Sequence, residues 1–344
     1  LLTNILRSHE SVFSAIGETK FFDAMPMIRR TYPDLWDERQ FESFVRMLAR
    51  IVLERKYNVA RAVAGGQISH MPERQPETEI PADVIQRVMQ RTEGRSYGEV
   101  IRLMFEELTV AAGKKRWMEE SPNHIFHIEE IVGFVPEARF VEIVRDPRDV
   151  LASKKTRRAS VWTDRYSAAK QRMKHLEKAY DPLWDALSWK SAVKAGELAR
   201  ERYGDQMHLI RYEDLVTDPS EVIKRTCDFL DMTFSPQMLE VEWANPAEWS
   251  RTGRAGVGSE SVGRWEAKLG PAELALCQWL TKSQMSHLRY APATTKRRSL
   301  LKLPVLLGSS VFEIFQRLYR RWRFGGMAFV KNIVMRYLNR AGKL

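Results

Sequence analysis

The sequence predicts an α/β protein built on a parallel sheet with helices on both faces. Apolar runs of strand length alternate with segments of helical periodicity along most of the chain, and no internal repeat interrupts that rhythm. One of these runs breaks off at an arginine and turns straight into a helix start, the habit of a βα unit. A content of 44% hydrophobic and 10% aromatic residues in 344 supports one large core, in one or two domains.

Taken in order, residues 1–9 read as a helix and Val12–Ile16 as a short strand. Periodicity makes Glu38–Glu54 and Tyr97–Ala112 helices, with the proline-rich MPERQPETEIP between them a loop. Lys115–Glu119 is a further core strand, and Asn123–Phe134 a helix opened by Ser121-Pro122. In Phe140–Ser153, FVEIVRDPRDVLAS, Val141, Ile143 and Val144 read as a buried parallel strand and Pro147 suits the first turn of the next helix. Long helices follow around residues 164–180 and 183–203, broken by Asp181-Pro182; a strand over 207–212 and a helix over 219–230 complete the pattern.

The Phe140–Ser153 turn is suited to an anion. A helix N-terminus offers unpaired N–H groups and partial positive charge, and Arg145 at the strand end adds a guanidinium that binds phosphate in two places. Ser153 stands on the other side. The plainer alternative is an ordinary strand-to-helix turn with a surface arginine.

The wording of this segment resembles the 3′-phosphate-binding segment of sulfotransferases, in which an arginine at the strand end and a serine eight positions on hold the 3′-phosphate of the sulfate donor PAPS (3′-phosphoadenosine 5′-phosphosulfate); Arg145 and Ser153 match both. Met207–Leu230, MHLIRYEDLVTDPSEVIKRTCDFL, resembles the family's later strand, YEDL turn and following helix. The resemblance covers roughly residues 1–290 and is nearest the bacterial and Golgi-type branches. It implies a P-loop NTPase-like three-layer fold with a central parallel sheet, PAPS as co-substrate, no metal, and transfer of a sulfuryl group to a hydroxyl, or an amine, of a carbohydrate, peptide or lipid headgroup. The chain opens LLTNILRSHESVFSAIGETKFFD, a segment that in the family directly follows a PRSGTT-type loop cradling the 5′-phosphosulfate. Neither Gly65-Gly66 nor Gly253–Gly263 sits in a context that replaces the loop. The expectation is a domain lacking its first strand and phosphate loop, and inactive without them; the alternative is a natural protein that has lost donor binding.

Further residues take their roles from the same resemblance. Glu18 in GETKFFD matches the segment carrying the catalytic glutamate of glycan and tyrosyl-protein sulfotransferases, which accepts the acceptor's hydroxyl proton; the alternative is a surface cap or ion-pair glutamate. Tyr212 in RYEDL ends a strand and is placed near the donor adenine, or is a packed aromatic; Glu213 and Asp214 organise the turn. RTGRAGVGSESVGRWEAKL resembles the mobile segment that closes over PAPS, mainly through the Gly263-x-Trp265 spacing, which makes Arg264 a donor contact. RWMEESPNHIFH resembles the family's W-x-E-K-S/T-P pattern, with Glu120 where many members carry lysine, a carboxylate that repels sulfate. His124 and His127, three apart with no third ligand, read as capping or packing groups. Lys154, Lys155, Arg157 and Arg158 attract an acidic acceptor or form a solvated basic face.

Composition bounds the remainder. Cys227 and Cys277 sit in apolar helical patterns and read as core fillers, which leaves no disulfide framework or zinc site. No run of about 18 apolar residues occurs and the present N-terminus shows no signal peptide, so a cytoplasmic or peripheral-membrane location is expected. The net charge of +11 is segregated: residues 291–344 hold 12 Lys and Arg against one acid, Glu313, leaving the first 290 neutral. In this extension Val311, Ile314, Phe315, Leu318 and Trp322 recur at helical spacing, and after Gly325-Gly326 so do Val330, Ile333, Val334, Tyr337 and Leu338, each set flanked by basic residues. Two basic amphipathic helices over residues 311–340 suit an anionic membrane surface, or pack on the domain or a second subunit; nucleic acid is not expected as a partner. The rivals to the sulfotransferase reading are a nucleotide-dependent kinase on the same fold and a non-catalytic membrane-binding or interaction module.

Overall fold

The computed structural model describes residues 1–15, 18–53, 81–160, 180–244, 251–255, 257–295, 301–312, 315, 316 and 319. MPERQPETEIP up to Ile80, Gly65-Gly66, the helix expected over 164–180 and the second amphipathic helix lie outside them. The chain forms two compact units, Leu1–Phe140 with Ser235–Val241, and Val141–Phe234 with Glu242–Leu344.

In the first unit, α1 (Leu2–Arg7) leads into β1 (Val12–Ser14), which pairs in parallel with β2 (Arg116–Met118), Val12 opposite Arg116 and Ser14 opposite Met118. Helices α2 (Phe21–Thr31), α3 (Glu38–Leu53), α4 (Ala82–Arg91) and α5 (Tyr97–Ala111) supply the core. Along α3, Phe41, Phe44, Val45, Leu48 and Val52 recur at helical spacing and all are buried. Phe105 of α5 stacks on Trp117 of β2 at 4.6 Å and meets Phe21 edge-on at 6.3 Å. Each such ring contributes about 1.5–3 kcal/mol by leaving water. Glu107 ties α4 to α5, receiving Arg87 Nε at 2.5 Å and Arg91 Nη1. Burial pushes its carboxyl upward, but the two guanidinium groups prevail and hold it below its ordinary value.

The single helix expected over Asn123–Phe134 is two pieces. A 3₁₀ turn, Pro122–Phe126, precedes α6 (Ile128–Phe134), and His127 between them leaves helical geometry at φ −123°. The amides of His124 and His127 donate to carbonyls three residues back, on Ser121 and His124, so the segment is wound too tightly to continue as one α-helix. That winding lays both imidazoles against Phe22, at 5.3 and 6.1 Å between ring centres.

The second unit is organised by β3 (Phe140–Val144), whose sheet neighbour is β4 (Met207–Arg211). Its helices are α7 (Pro147–Ser160), α8 (Pro182–Arg202), α9 (Tyr212–Thr217), α10 (Pro219–Phe229), α11 (Trp265–Lys268) and α12 (Pro271–His287). The two Asp-Pro pairs both start helices: Asp181 accepts from Trp184 N at 2.8 Å and Asp218 from Glu221 N at 3.2 Å, with proline at the first helical position. Val144, Trp189, Val193, Met285, Leu288 and Tyr290 form one core cluster. Cys227 and Cys277 are buried free thiols, as their apolar settings predict.

The helix and strand bounds follow the sequence closely, but several finer expectations are corrected. Ile143 is 41% exposed rather than buried, because the two-residue alternation of β3 sends Val144 into the core and its neighbour to the other face. Tyr212 does not end a strand; Arg211 does, and Tyr212 opens α9, so YEDL is a helical turn. RTGRA within the expected closing loop is β6 (Arg251–Ala255), antiparallel to β5 (Glu242–Ala244). Among the described residues β1 pairs with β2 in parallel, β3 with β4 and β5 with β6, small sheets in a mixed helix and strand fold that agrees with the α/β, P-loop-like architecture expected.

Candidate functional site

The segment Arg145-Asp146-Pro147-Arg148-Asp149 carries four charges, and each has a separate task. Asp146 caps α7: its Oδ1 accepts from Arg148 N at 2.8 Å and its carboxylate pairs with the Arg148 side chain, at 2.6 Å to Nη2. Asp146 N donates to Glu213 Oε1 at 2.9 Å, and Glu213 Oε2 receives Tyr290 OH at 2.8 Å. The expectation of unpaired N–H groups at this helix start is corrected in part: Pro147 has no N–H, the Arg148 N–H is capped by Asp146, and the Asp146 N–H is held by Glu213. Glu213 organises the start of α7 and not its own turn.

Arg145 points elsewhere. Its Nη2 donates to Ser261 O, its guanidinium carbon lies 4.6 Å from the centre of the Tyr212 ring, and Asp149 Oδ2 is 3.9 Å away. Tyr212 OH and Ser261 Oγ share a hydrogen bond of 2.6 Å, and Trp189 Nε1 donates to Arg145 O at 2.9 Å. Among the described residues the buried Nε of Arg145 has no acceptor. Ser153 lies further along α7, half-buried, and among the described residues its hydroxyl takes part in no hydrogen bond with the others.

Asp149 accounts for the Gly263-x-Trp265 spacing. Its Oδ2 accepts from Gly263 N at 2.8 Å and its Oδ1 from Trp265 N at 3.0 Å, so one buried carboxylate receives two alternate amides of the loop. Gly263 adopts φ +74°, a left-handed turn that favours glycine. Trp265 then covers Arg148, whose guanidinium carbon is 4.4 Å from the ring centre. Burial pushes the Asp149 carboxyl upward, opposed by the two amides and by Arg145. Arg264 sits between the two anchored residues and donates from Nε to Glu260 O at 2.7 Å. Lys154 and Lys155 pair with Asp185 at 2.7 Å and Glu273 at 2.6 Å while their side chains stay partly exposed. The side chains of Arg157 and Arg158 lie outside the described residues.

In the first unit, Glu18 is 44% exposed and its Oε2 lies 3.1 Å from Lys20 Nζ. Next to it stands a buried carboxylate, Glu119. Its Oε1 accepts from Thr19 N at 3.1 Å, Thr19 Oγ1 at 2.6 Å and Ser121 Oγ at 2.9 Å. Its Oε2 accepts no hydrogen bond, although His124 Nδ1 is 2.8 Å away. Burial pushes Glu119 up to about 7, against the pull of those donors, and pushes His124 down to about 4. His127 is moved the other way: burial would lower it, but Asp23 and Glu130 prevail and raise it. Both histidines therefore act within the packing, with carboxylate partners that spacing alone did not reveal.

Residues 1–236, which contain Glu18, Arg145, Ser153 and Tyr212, match the model of the sulfotransferase family. The chain belongs to that family. Two solved structures are similar to it: a sulfotransferase domain from the curacin biosynthetic pathway, 16% identical over 85% of this chain and 93% of that one with a TM-score of 0.47, and a sulfotransferase domain from the Synechococcus PCC 7002 olefin synthase, 14% identical over 80% and 96% with a TM-score of 0.38. No curated protein matches.

Of the residues marked out in this sulfotransferase sequence, Arg145 and Tyr212 are in contact, and the loop bearing Arg264 is tied to their cluster through Asp149 and Ser261. Asp149, Ser261 and Glu119 escaped the sequence reading, and Glu213 was assigned to its own turn instead of the start of α7. Only the repeated Arg-Asp pairs of RDPRD and the Glu of W-x-E signalled two of them.

Two predictions follow from these carboxylates. Asp149→Asn removes one acceptor from the pair of loop amides; the Gly263 and Trp265 amides should then exchange at least tenfold faster with deuterium, with a stability loss of about 1–3 kcal/mol. Unchanged exchange at both would show that Asp149 does not anchor the loop. For Glu119 the sign comes from proton counts. Between pH about 4.5 and 7 folded Glu119 keeps a proton that the unfolded chain has released, so its contribution falls as pH rises. Between about 4 and 6.5 folded His124 lacks a proton that the unfolded chain holds, so its contribution rises. The two nearly cancel in the native chain. In Glu119→Gln only the histidine remains, and relative to the parent the unfolding free energy should climb by about 1.4 kcal/mol per pH unit across pH 4.5–7; equal slopes in urea titrations would refute the assignment.

Proposed function

We propose that this protein is a PAPS-dependent sulfotransferase acting on a hydroxyl, or an amine, of a carbohydrate, peptide or lipid headgroup. The observation that carries the reading is Arg145, a fixed guanidinium over Tyr212 whose buried Nε has no acceptor among the described residues. It stands at the position where the family holds the donor 3′-phosphate, with the hydroxyl of Ser153 at the second such position. A phosphate oxygen satisfies both donors, and a charge-assisted hydrogen bond is the stronger for being partly buried. Tyr212 presents a ring to the adenine, and Arg264 lies on the loop that Asp149 anchors.

In the transfer, the acceptor oxygen attacks sulfur as the bond from sulfur to the 5′-phosphate oxygen breaks. Glu18 takes the acceptor proton, and the products are the sulfate ester and 3′-phosphoadenosine 5′-phosphate. Exposure of Glu18 leaves it open to an acceptor, and Lys20 Nζ lies 3.1 Å from its carboxylate. The 5′ end of the donor calls for a glycine-rich loop that residues 1–344 do not contain, so the reading includes weak or absent activity of these residues by themselves.

A membrane surface belongs to the same proposal. Among the described residues no helix is long and apolar enough to cross a bilayer. Residues 303–312 are helical, and Leu301 (79% exposed), Val305, Phe312 and Phe315 (73%) fall on one face at the 3.6-residue period, while Ser310 on the opposite face is buried. An exposed apolar stripe in the segment that holds all the excess positive charge suits the boundary of an anionic bilayer.

The donor reading is tested by calorimetry with 3′-phosphoadenosine 5′-phosphate, on this chain and on one extended by its upstream genomic segment. Binding by the extended chain should weaken roughly tenfold to a hundredfold in Arg145→Ala. Glu18→Gln should bind equally well but release 3′-phosphoadenosine 5′-phosphate from PAPS at least a hundredfold more slowly over a panel of saccharide, tyrosyl-peptide and glycolipid acceptors. An Arg145→Ala variant that binds like the parent sinks the phosphate assignment. For the tail, vesicles with 30% phosphatidylserine should retain the chain at low salt, and Phe312→Ser with Phe315→Ser should abolish retention; no retention of the parent removes the membrane from the proposal.

A further inference from the structure

We infer that Glu119, together with Ser121, is a positioning residue for Glu18: the pair clamps the backbone that follows Glu18 and so fixes where that carboxylate points. The inference rests on the assignment of Glu18 as the base, and it adds a component that the base requires.

The clamp spans 100 residues of sequence. Thr19 is fully buried, and both of its donors, the amide and the hydroxyl, end on the same oxygen of Glu119. Ser121 Oγ donates to that oxygen too and in turn accepts from Lys20 N at 3.3 Å. Two consecutive amides, those of Thr19 and Lys20, are thus tied to one carboxylate, the second through a hydroxyl. The tie matters because of what the backbone does there. Lys20 has φ 57°, a left-handed conformation that a lysine adopts only when its surroundings impose it, and no side chain caps the helix α2 that starts at the next residue. Glu18, Thr19 and Lys20, the residues that lead into α2, therefore have no secondary structure of their own to set their course, and Glu119 and Ser121, just after β2, set it instead.

This also accounts for the motif. In Trp117-x-Glu119-x-Ser121-Pro122, Trp117 packs on Phe105, Glu119 and Ser121 reach the Thr19-Lys20 amides, and Pro122 begins the 3₁₀ turn that brings His124 to the far oxygen of Glu119. The position between Glu119 and Ser121 is Glu120, which takes no part in the clamp, so a departure there leaves the clamp intact. Every donor on Glu119 Oε1 is also served by an amide oxygen, so Glu119→Gln preserves the clamp and Glu119→Ala removes it. A base displaced by about 1 Å loses on the order of a hundredfold in rate.

The test is a double-mutant cycle in the chain extended by its upstream genomic segment, with release of 3′-phosphoadenosine 5′-phosphate from PAPS as the readout and deuterium exchange at Thr19 and Lys20 alongside. Glu119→Ala should lower kcat at least tenfold with KM for PAPS within twofold, while Glu119→Gln keeps at least half of kcat. Placed on Glu18→Gln, Glu119→Ala should change the residual rate less than twofold, because a clamp that acts through Glu18 has nothing left to act on. A full-sized further loss on that background marks a general structural role and overturns the proposal, as does a Glu119→Ala enzyme with the parental kcat. Should Glu119→Ala not fold, Ser121→Ala takes its place, with faster exchange at Lys20 and a smaller loss in kcat expected; parental exchange at Lys20 overturns the clamp. Parental turnover in Glu18→Gln identifies a failure of the base assignment instead, and accelerated exchange in Glu119→Ala then shows the clamp to be present without that base.

Discussion

Asp149 is the interaction on which the Arg145 cluster depends. A carboxylate one turn into α7 receives the amides of Gly263 and Trp265 from 114 and 116 residues away, and so fixes the loop that in turn supplies Ser261 to Arg145 and Tyr212. Charge balance constrains the same segment. Asp146 and Arg148 neutralise each other in a buried pair capped by Trp265, whereas Asp149 spends its oxygens on amides and stays 3.9 Å from Arg145. A closer ion pair at Arg145 would compete with an incoming phosphate; the longer separation keeps the guanidinium oriented with a donor unspent.

Glu119 repeats this physics in the first unit. There too a carboxylate removed from water accepts amides from a distant loop, and desolvation raises its pKa while the donors oppose the shift. Neither group needs to touch a reacting atom to matter. Each converts a stretch without secondary structure of its own into a fixed platform, for Glu18 in one case and for Arg264 and Ser261 in the other. Buried carboxylates are suited to this because an oxygen with two lone pairs can gather amides that no helix or sheet satisfies.

Local rules explain what the sequence revealed. Asp-Pro pairs start α8 and α10, the 3.6-residue period of α3 and α5 matches their buried faces, and the apolar run before Arg145 is β3. Arg145 and Tyr212 were legible because their wording is shared with a family. Other features depended on partners far along the chain, which a local pattern does not encode. The helix start at Pro147 looked open to an anion, but Glu213, 67 residues on, holds the Asp146 amide. Likewise, Ile143 looked like core because an apolar run does not state which of its faces finds a neighbour. His124 and His127 were read correctly as packing groups, yet their carboxylate partners were invisible until β2 and α2 were brought together.

Segregation of charge divides the protein's electrostatics into two regimes. The first 290 residues are net neutral, so no long-range field draws an anionic donor to them, and recognition falls to a few donors at short range, Arg145 foremost. Such contacts are partly desolvated and weakly screened. The extension carries +11 in 54 residues, and the attraction of such a charge to any anionic surface decays over a Debye length of about 8 Å at physiological ionic strength. On the proposed reading, donor binding and surface docking would respond differently to salt: raising ionic strength would weaken the second far more than the first, since the two draw on separate charges.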